Sequence, residues 1–308
     1  MKPIVETKKL SKWYGNVLGL SDVTLQIEPG ITGILGPNGA GKSTFLKLIT
    51  GQIKPNIGTA RIKGQKIRNN YHLFSIIGFC PEQDFFYDEM TGLQFVTSLL
   101  KLHHFSESEV ETRAQKALEI VELVEDKDRV IRSYSRGMRQ RLKFAQAIAH
   151  DPEIIVLDEP LSGLDPLGRR KIIHLIKSYK GEGRTIIVSS HVLPEIEAMT
   201  KRIILIHQGN IFAQGDIHYI RDLIDTHPHI ISIKCSNARQ LASKFIQQDY
   251  VLKVHFSSSN DSLLIETNDR DKLFSLLPSL FIENKIEVDE ITSPDDNLQA
   301  VFDYLVGK

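Results

Sequence analysis

The stretch "ITGILGPNGAGKSTFLKLITG", residues 31–51, decides the fold. It opens on a β-branched apolar run, passes through a glycine-rich loop and continues into a helical pattern. Gly36, Gly41, Lys42 and Ser43 satisfy GxxxxGK[ST], and a strand before with a helix after is the setting this motif requires. Glycines let the backbone curl so that successive N–H groups converge, and the helix N-terminus adds partial positive charge. The loop formed by Gly36, Pro37, Asn38, Gly39, Ala40, Gly41, Lys42, Ser43 and Thr44 is therefore expected to cradle nucleotide phosphates. Lys42 would pair with the β and γ phosphates, and the Ser43 hydroxyl would ligate Mg²⁺. The bland alternative, a glycine-rich turn with a solvated lysine, does not explain the strand-to-helix setting.

Working outward, β-branched runs recur at 75–80, 154–159, 185–190 and 202–207 ("SIIGFC", "IIVLDE", "TIIVSS", "RIILIH"), separated by helical patterns. Runs apolar on consecutive positions are expected of strands buried on both faces, so the chain reads as α/β with a largely parallel sheet. The run at 154 ends in Asp158 and Glu159, at the C-terminal end of a strand, where α/β ligand sites form. Asp158 is placed to take Mg²⁺, directly or through water. Glu159 is placed to polarise an attacking water as general base.

The 308 residues allow two domains, and 41% apolar with 25% charged residues is the mix of an ordinary globular protein. Thirty-eight basic and 38 acidic side chains cancel, so nothing draws a polyanion at long range, and nucleic acid is not expected as a partner. The only cysteines, Cys80 and Cys235, lack zinc or disulfide spacing, which suits a reducing cytoplasm. No run approaches a membrane span, so any membrane role is expected to be peripheral. His207, His218, His227 and His229 fall on different expected elements and read as solvated, as do His103 and His104.

Between 86 and 132 the pattern turns helical, with Ser106 and Glu109 at capping-box spacing. This predicts a helical subdomain, about 86–150, inside a nucleotide-binding domain of 1–220. Residues 221–308 form the second domain, whose pattern of strand, helix, two strands, helix and strand predicts a ferredoxin-like βαββαβ unit.

The segment "YSRGMRQRLKFAQAIAHDPEIIVLDEPLSGLD", residues 134–165, discriminates among phosphate-binding classes. Together with "GPNGAGKST", "HV" at 191 and "YG" at 14, it resembles the ATP-binding subunits of ABC transporters over residues 4–215. By that resemblance, Tyr14 stacks on adenine, Gly36–Thr44 is Walker A, and Asp158 with Glu159 closes Walker B. Gln83 is the glutamine that touches Mg²⁺ and the attacking water, His191 contacts the γ-phosphate, and Asp165 lies in the D-loop. The signature motif is "YSRGM", in which Ser135 and Gly137 are retained, while Arg136 and Met138 replace a glycine and a glutamine. Arg136 adds charge and removes conformational freedom, which bears on turnover more than on ATP binding.

The resemblance further implies ATP and Mg²⁺ as cofactors and a head-to-tail dimer with a second copy of the chain. It implies a separate polytopic permease and a place on the cytoplasmic face of the membrane. Phe85, Phe86 and Tyr87 occupy the family's permease-facing position. The ending "DDNLQAVFDYLVGK", 295–308, looks like the terminal helix of ABC-2-type exporter subunits, which favours export. Two other functions compete: an ABC-type ATPase acting on ribosomes or another macromolecule without a permease, and a regulatory module that seldom hydrolyses ATP.

Overall fold

The computed structural model describes residues 2–216, 228–256 and 262–293, and the chain divides into two compact units, Met1–Asp216 and Ile217–Lys308. At the centre of the first unit lies β3 (Ile31–Leu35), five residues that are all buried. It pairs in parallel with β8 (Thr185–Ser190) on one side and β9 (Arg202–His207) on the other. Beyond β8 come β7 (Ile154–Leu157) and β6 (Ile77–Cys80), also parallel. The antiparallel strand β10 (Asn210–Asp216) closes the far edge, giving the order β10-β9-β3-β8-β7-β6. The apolar runs read from the sequence are these central strands, buried because helices and a second sheet cover both faces.

That second sheet, β2-β1-β4-β5, is antiparallel and was not anticipated. Its long strands β1 (Val5–Tyr14) and β2 (Val17–Ile27) are bulged at several registers, and many of their positions face solvent. β4 (Ile57–Ile62) and the two-residue β5 (Gln65–Lys66) complete it. Helix α1 (Lys42–Ile49) sends Phe45, Leu46, Leu48 and Ile49 into a core shared with Val5, Leu10, Leu20, Ile34 and Val156. Each such side chain, fully removed from water, contributes roughly 1.5–3 kcal/mol. α1 is thereby fixed end-on to β3, and the loop between them cannot drift.

After the short α2 (Tyr71–Ser75), the helical region comprises α3 (Gly92–Leu100), α4 (Glu107–Ile120) and α5 (Arg136–Ile148). Ser106 and Glu109 form the expected capping box at the start of α4, and Thr91 with Gln94 forms a second at α3. Helices α6 (Pro166–Tyr179) and α7 (Leu193–Met199) follow β7 and β8.

The second unit runs β11 (His229–Cys235), α8 (Ala238–Phe245), β12 (Val251–Phe256), β13 (Ser262–Thr267), α9 (Arg270–Asn284) and β14 (Val288–Thr292). Its antiparallel sheet has the order β12-β13-β11-β14, the split βαββαβ arrangement. Ile231, Ile233, Leu263 and Ile265 pack against Leu241, Phe245, Leu273 and Leu277. The segment 295–308 and His218 and His227 lie outside the described residues.

Two histidine expectations are corrected. His207 is buried at the end of β9, where positions 203–207 are all enclosed, and its ring is set edge-on to Phe212. His103 is half-buried and stacks on His150, centroids 4.4 Å apart, rather than being solvated. Among the described residues no group of histidines, cysteines and carboxylates has the geometry of a metal site.

Candidate nucleotide site

The loop from Gly36 to Gly41 is shaped by two constraints that exclude side chains. A Cβ on Gly36 would fall 2.2 Å from the Ile206 carbonyl oxygen, and Gly41 stands at φ +108°, a conformation costly for any other residue. Gly41 is also the N-cap of α1, with no side chain satisfying the first N–H groups of the helix. Unsatisfied amides at a helix N-terminus are an anion site.

Lys42 folds back over this loop. Its Nζ donates to the carbonyls of Gly36 (2.7 Å) and Pro37 (3.1 Å), and stands 3.0 Å from Glu159 Oε1. The Lys42 and Glu159 side chains are only 5% and 7% exposed. The pair is close but not aligned as a hydrogen bond, since Glu159 Oε1 has no donor directed at it. Glu159 Oε2 is 2.9 Å from Nδ1 of His191, whose side chain is 42% exposed. An ionised carboxylate only accepts, so Nδ1 carries the hydrogen in this contact.

Asp158 and Glu159 are sequence neighbours at a strand end, and neighbours in a strand point to opposite faces. Here Glu159 adopts φ +47°, and the reversal turns both carboxylates toward the loop. Ser189 bridges them: its hydroxyl donates to Asp158 Oδ1 (2.8 Å) and accepts from the Glu159 amide (2.8 Å). Burial pushes the Asp158 carboxyl above the usual carboxylate range, while hydrogen bonds from Ser189 and Ser43 pull the other way and the Glu159 charge adds to the rise. Ser43 and Asp158 are thus an oxygen-donor pair of the kind a hard divalent cation takes.

Gly41, Lys42, Ser43 and Glu159 line a cleft of about 340 Å³ together with Tyr14, whose ring is half-exposed at the end of β1, and with Asn38, Gly39, Ala40 and Thr44. The Tyr14 ring lies over Gly19, within 2.9 Å of where a Cβ would be, so a flat apolar wall stands beside the loop.

Gln83 is not brought to this cleft. It is exposed in the segment after β6, and its neighbour Glu82 lines the cleft instead. Ser135, Gly137 and Asp165 line a second cleft, of about 390 Å³, that shares no residue with the first. Ser135 caps α5 by accepting from the Met138 amide (3.3 Å), which uses a lone pair and leaves its hydroxyl hydrogen to donate. Asp165 caps α6 by accepting from Gly168 (2.6 Å), with Pro166 in the first turn. Arg136 lies in this cleft, its Nη1 3.4 Å from the Gly163 carbonyl.

Residues 20–162 match the ABC transporter family model. The bacitracin transport ATP-binding protein BcrA of Enterococcus faecalis is 34% identical over 318 aligned positions, which cover 100% of this chain and 97% of that protein. The chain belongs to the ABC transporter ATP-binding family. The daunorubicin resistance ATP-binding protein DrrA3 of Streptomyces coeruleorubidus is 28% identical to this ABC ATPase over 96% of the chain and 93% of its own length. Among solved structures, a dimeric ATP-binding cassette in a post-hydrolysis state with ADP and phosphate superposes with a TM-score of 0.62. It is 29% identical, covering 69% of this chain and 98% of that one. The ABC ATPase is thus an ATP-binding transporter subunit that hydrolyses ATP, on an α/β cassette fold.

Two features of the site were not read from the sequence: the Lys42–Glu159 pair and the Ser189 bridge. A serine two residues before His191 in "TIIVSSH" was the available signal for the second.

Cys80, at the C-terminal end of β6, is fully enclosed, its carbonyl accepting from the Asp158 amide at 2.9 Å. Burial pushes its thiol up to about 12. The native protein should therefore leave Cys80 unalkylated by iodoacetamide at pH 8, with labelling appearing only on unfolding. Peptide mass spectrometry reads this directly, and native labelling would contradict the enclosure.

Proposed function

We propose that this chain is the energising subunit of an exporter, docked on the cytoplasmic face of the membrane against a separate polytopic permease. The observation that carries the reading is the division of the ATP-site residues between two clefts of one chain. A head-to-tail pair of copies brings Ser135 and Gly137 of each to the loop of the other, completing two equivalent sites. In each, the α1 N-terminus and Lys42 hold the phosphates, Tyr14 packs on the base, and Ser135 donates from across the interface. Asp165, capping α6 beside Ser135, lies at that interface.

The donor set fits Mg²⁺, with Ser43 and Asp158 holding it. When bound, Mg²⁺ would neutralise charge on the phosphate oxygens. Glu159 accepts the proton of the attacking water, and His191 orients the Glu159 carboxylate by donating to Oε2. Gln83, next to the cleft-lining Glu82, turns to the attacking water when the site closes, and its segment also presents Phe85 and Tyr87, 69% and 68% exposed, to a permease.

No helix among the described residues is long and apolar enough to cross a membrane, so transport requires the partner. The relatives named for bacitracin transport and daunorubicin resistance support the export reading. The test is to tag the protein in its native cells, extract membranes with mild detergent and identify what remains bound. Stoichiometric recovery with a polytopic membrane protein is expected. Recovery only in the cytosol, alone or on ribosomes, would overturn the transport reading.

A further inference from the structure

The face of α5 turned toward the segment 82–88 carries two cations one turn apart, Arg139 and Lys143. Lys143 is the unusual one, because only 4% of its side chain is exposed although an ammonium is costly to withdraw from water. Its Nζ donates to the carbonyl of Glu82 at 2.7 Å and pairs with Asp84 Oδ1 at 3.1 Å. The two acceptors belong to the residues on either side of Gln83. Arg139 takes Asp88 Oδ1 at 2.9 Å and stands 3.8 Å from Asp84 Oδ2, with its guanidinium over the Phe86 ring.

The segment is therefore held at 82, 84, 86 and 88, while Gln83, Phe85 and Tyr87 are exposed. Asp84 is 42% exposed and Asp88 more so, which means water can take over the loop's side of the contact. Lys143, the buried partner, makes both of its polar contacts to this segment and would lose its carbonyl and its carboxylate together if the loop detached. The penalty for detaching the loop falls on the helix that begins at Ser135.

We infer that Lys143, assisted by Arg139, is a positioning residue that locks the Gln83 segment to the signature helix, so that Gln83 and Ser135 move as one body. The inference rests on the role given to Gln83 above. ATP binding, which uses Lys42 and the α1 N-terminus, does not depend on this clamp.

The test uses the full-length protein with Lys143→Met, which keeps the stem and removes the charge, and Asp84→Asn, which lies on the exposed side and leaves the helix intact. Amide hydrogen exchange at 83–88 is expected to speed up by about tenfold or more in both variants, without nucleotide present. The Kd for ATP should stay within about twofold of wild type while kcat falls by about tenfold. In a cycle with Gln83→Ala, the double variant with Lys143→Met should be no slower than Gln83→Ala alone, because a residue acting through Gln83 has nothing left to position.

Unchanged exchange at 83–88 in Asp84→Asn, or losses that multiply in the double variant, would overturn the inference. If Lys143→Met fails to fold, Asp84→Asn alone decides by the same readings. Wild-type kcat in Gln83→Ala would instead defeat the role of Gln83, and the exchange data would still judge the clamp.

Discussion

Glu159→Gln is expected to lower ATP hydrolysis by about 10²- to 10⁴-fold, the range for loss of a general base. It should also bind ATP more tightly than the parent. In the structure Glu159 Oε1 stands 3.0 Å from the ammonium of Lys42, so phosphate must compete with a buried carboxylate for the cation it needs. Glutamine keeps the shape and removes the competing charge. Relief of roughly 1 kcal/mol of competing attraction corresponds to about a fivefold lower Kd. Steady-state phosphate release measures the first effect, and equilibrium titration with a fluorescent ATP analogue measures the second. Turnover near the wild-type rate would remove Glu159 from its role as base. Weakened binding would mean that the Lys42 contact assists phosphate capture rather than opposing it.

Lys42→Met carries the second large effect, in stability as well as in binding. Two or three charge-assisted contacts to phosphate are lost, and affinity for ATP should fall by about 100-fold or more. The same change strands Glu159, 7% exposed, with only His191 to compensate it. Removing one partner of a buried ion pair typically costs about 3 kcal/mol or more. A denaturant titration should show that loss. The double variant Lys42→Met/Glu159→Gln should recover most of the stability while staying unable to bind nucleotide. Wild-type stability in Lys42→Met alone would show that the pair contributes nothing to the fold.

The loop at 36–44, the carboxylates at 158 and 159 and the central strands were legible because each is a local pattern whose chemistry follows from residue type and spacing. The βαββαβ unit was legible for the same reason, since its strands and helices differ in period. The β2-β1-β4-β5 sheet was not. Strands such as Val5–Tyr14 mix buried with exposed positions in no regular alternation, include two consecutive lysines and are interrupted by bulges, with Lys9 and Asp22 at positive φ. Long-range pairing defines them, and the run itself is only half apolar.

Chain order singles out Gln83 by resemblance alone and carries no information about where its side chain stands. The burial of Lys143 was equally hidden: a lysine in "RQRLKFAQ" reads as a solvated helix face. Only the segment 61 positions earlier, folded against it, makes that face an interior.

The positive φ at Glu159 has one more consequence. β7 delivers two carboxylates that differ by a single methylene, and one backbone torsion assigns them separate labours: Asp158 toward Ser43, Glu159 toward Lys42 and His191. The assignment is written in the main chain rather than in side-chain chemistry. Exchanging the two residues, Asp158→Glu with Glu159→Asp, preserves composition and charge yet places the long arm where the short one is required. A site of this kind tolerates a change of residue type more readily than a change of reach.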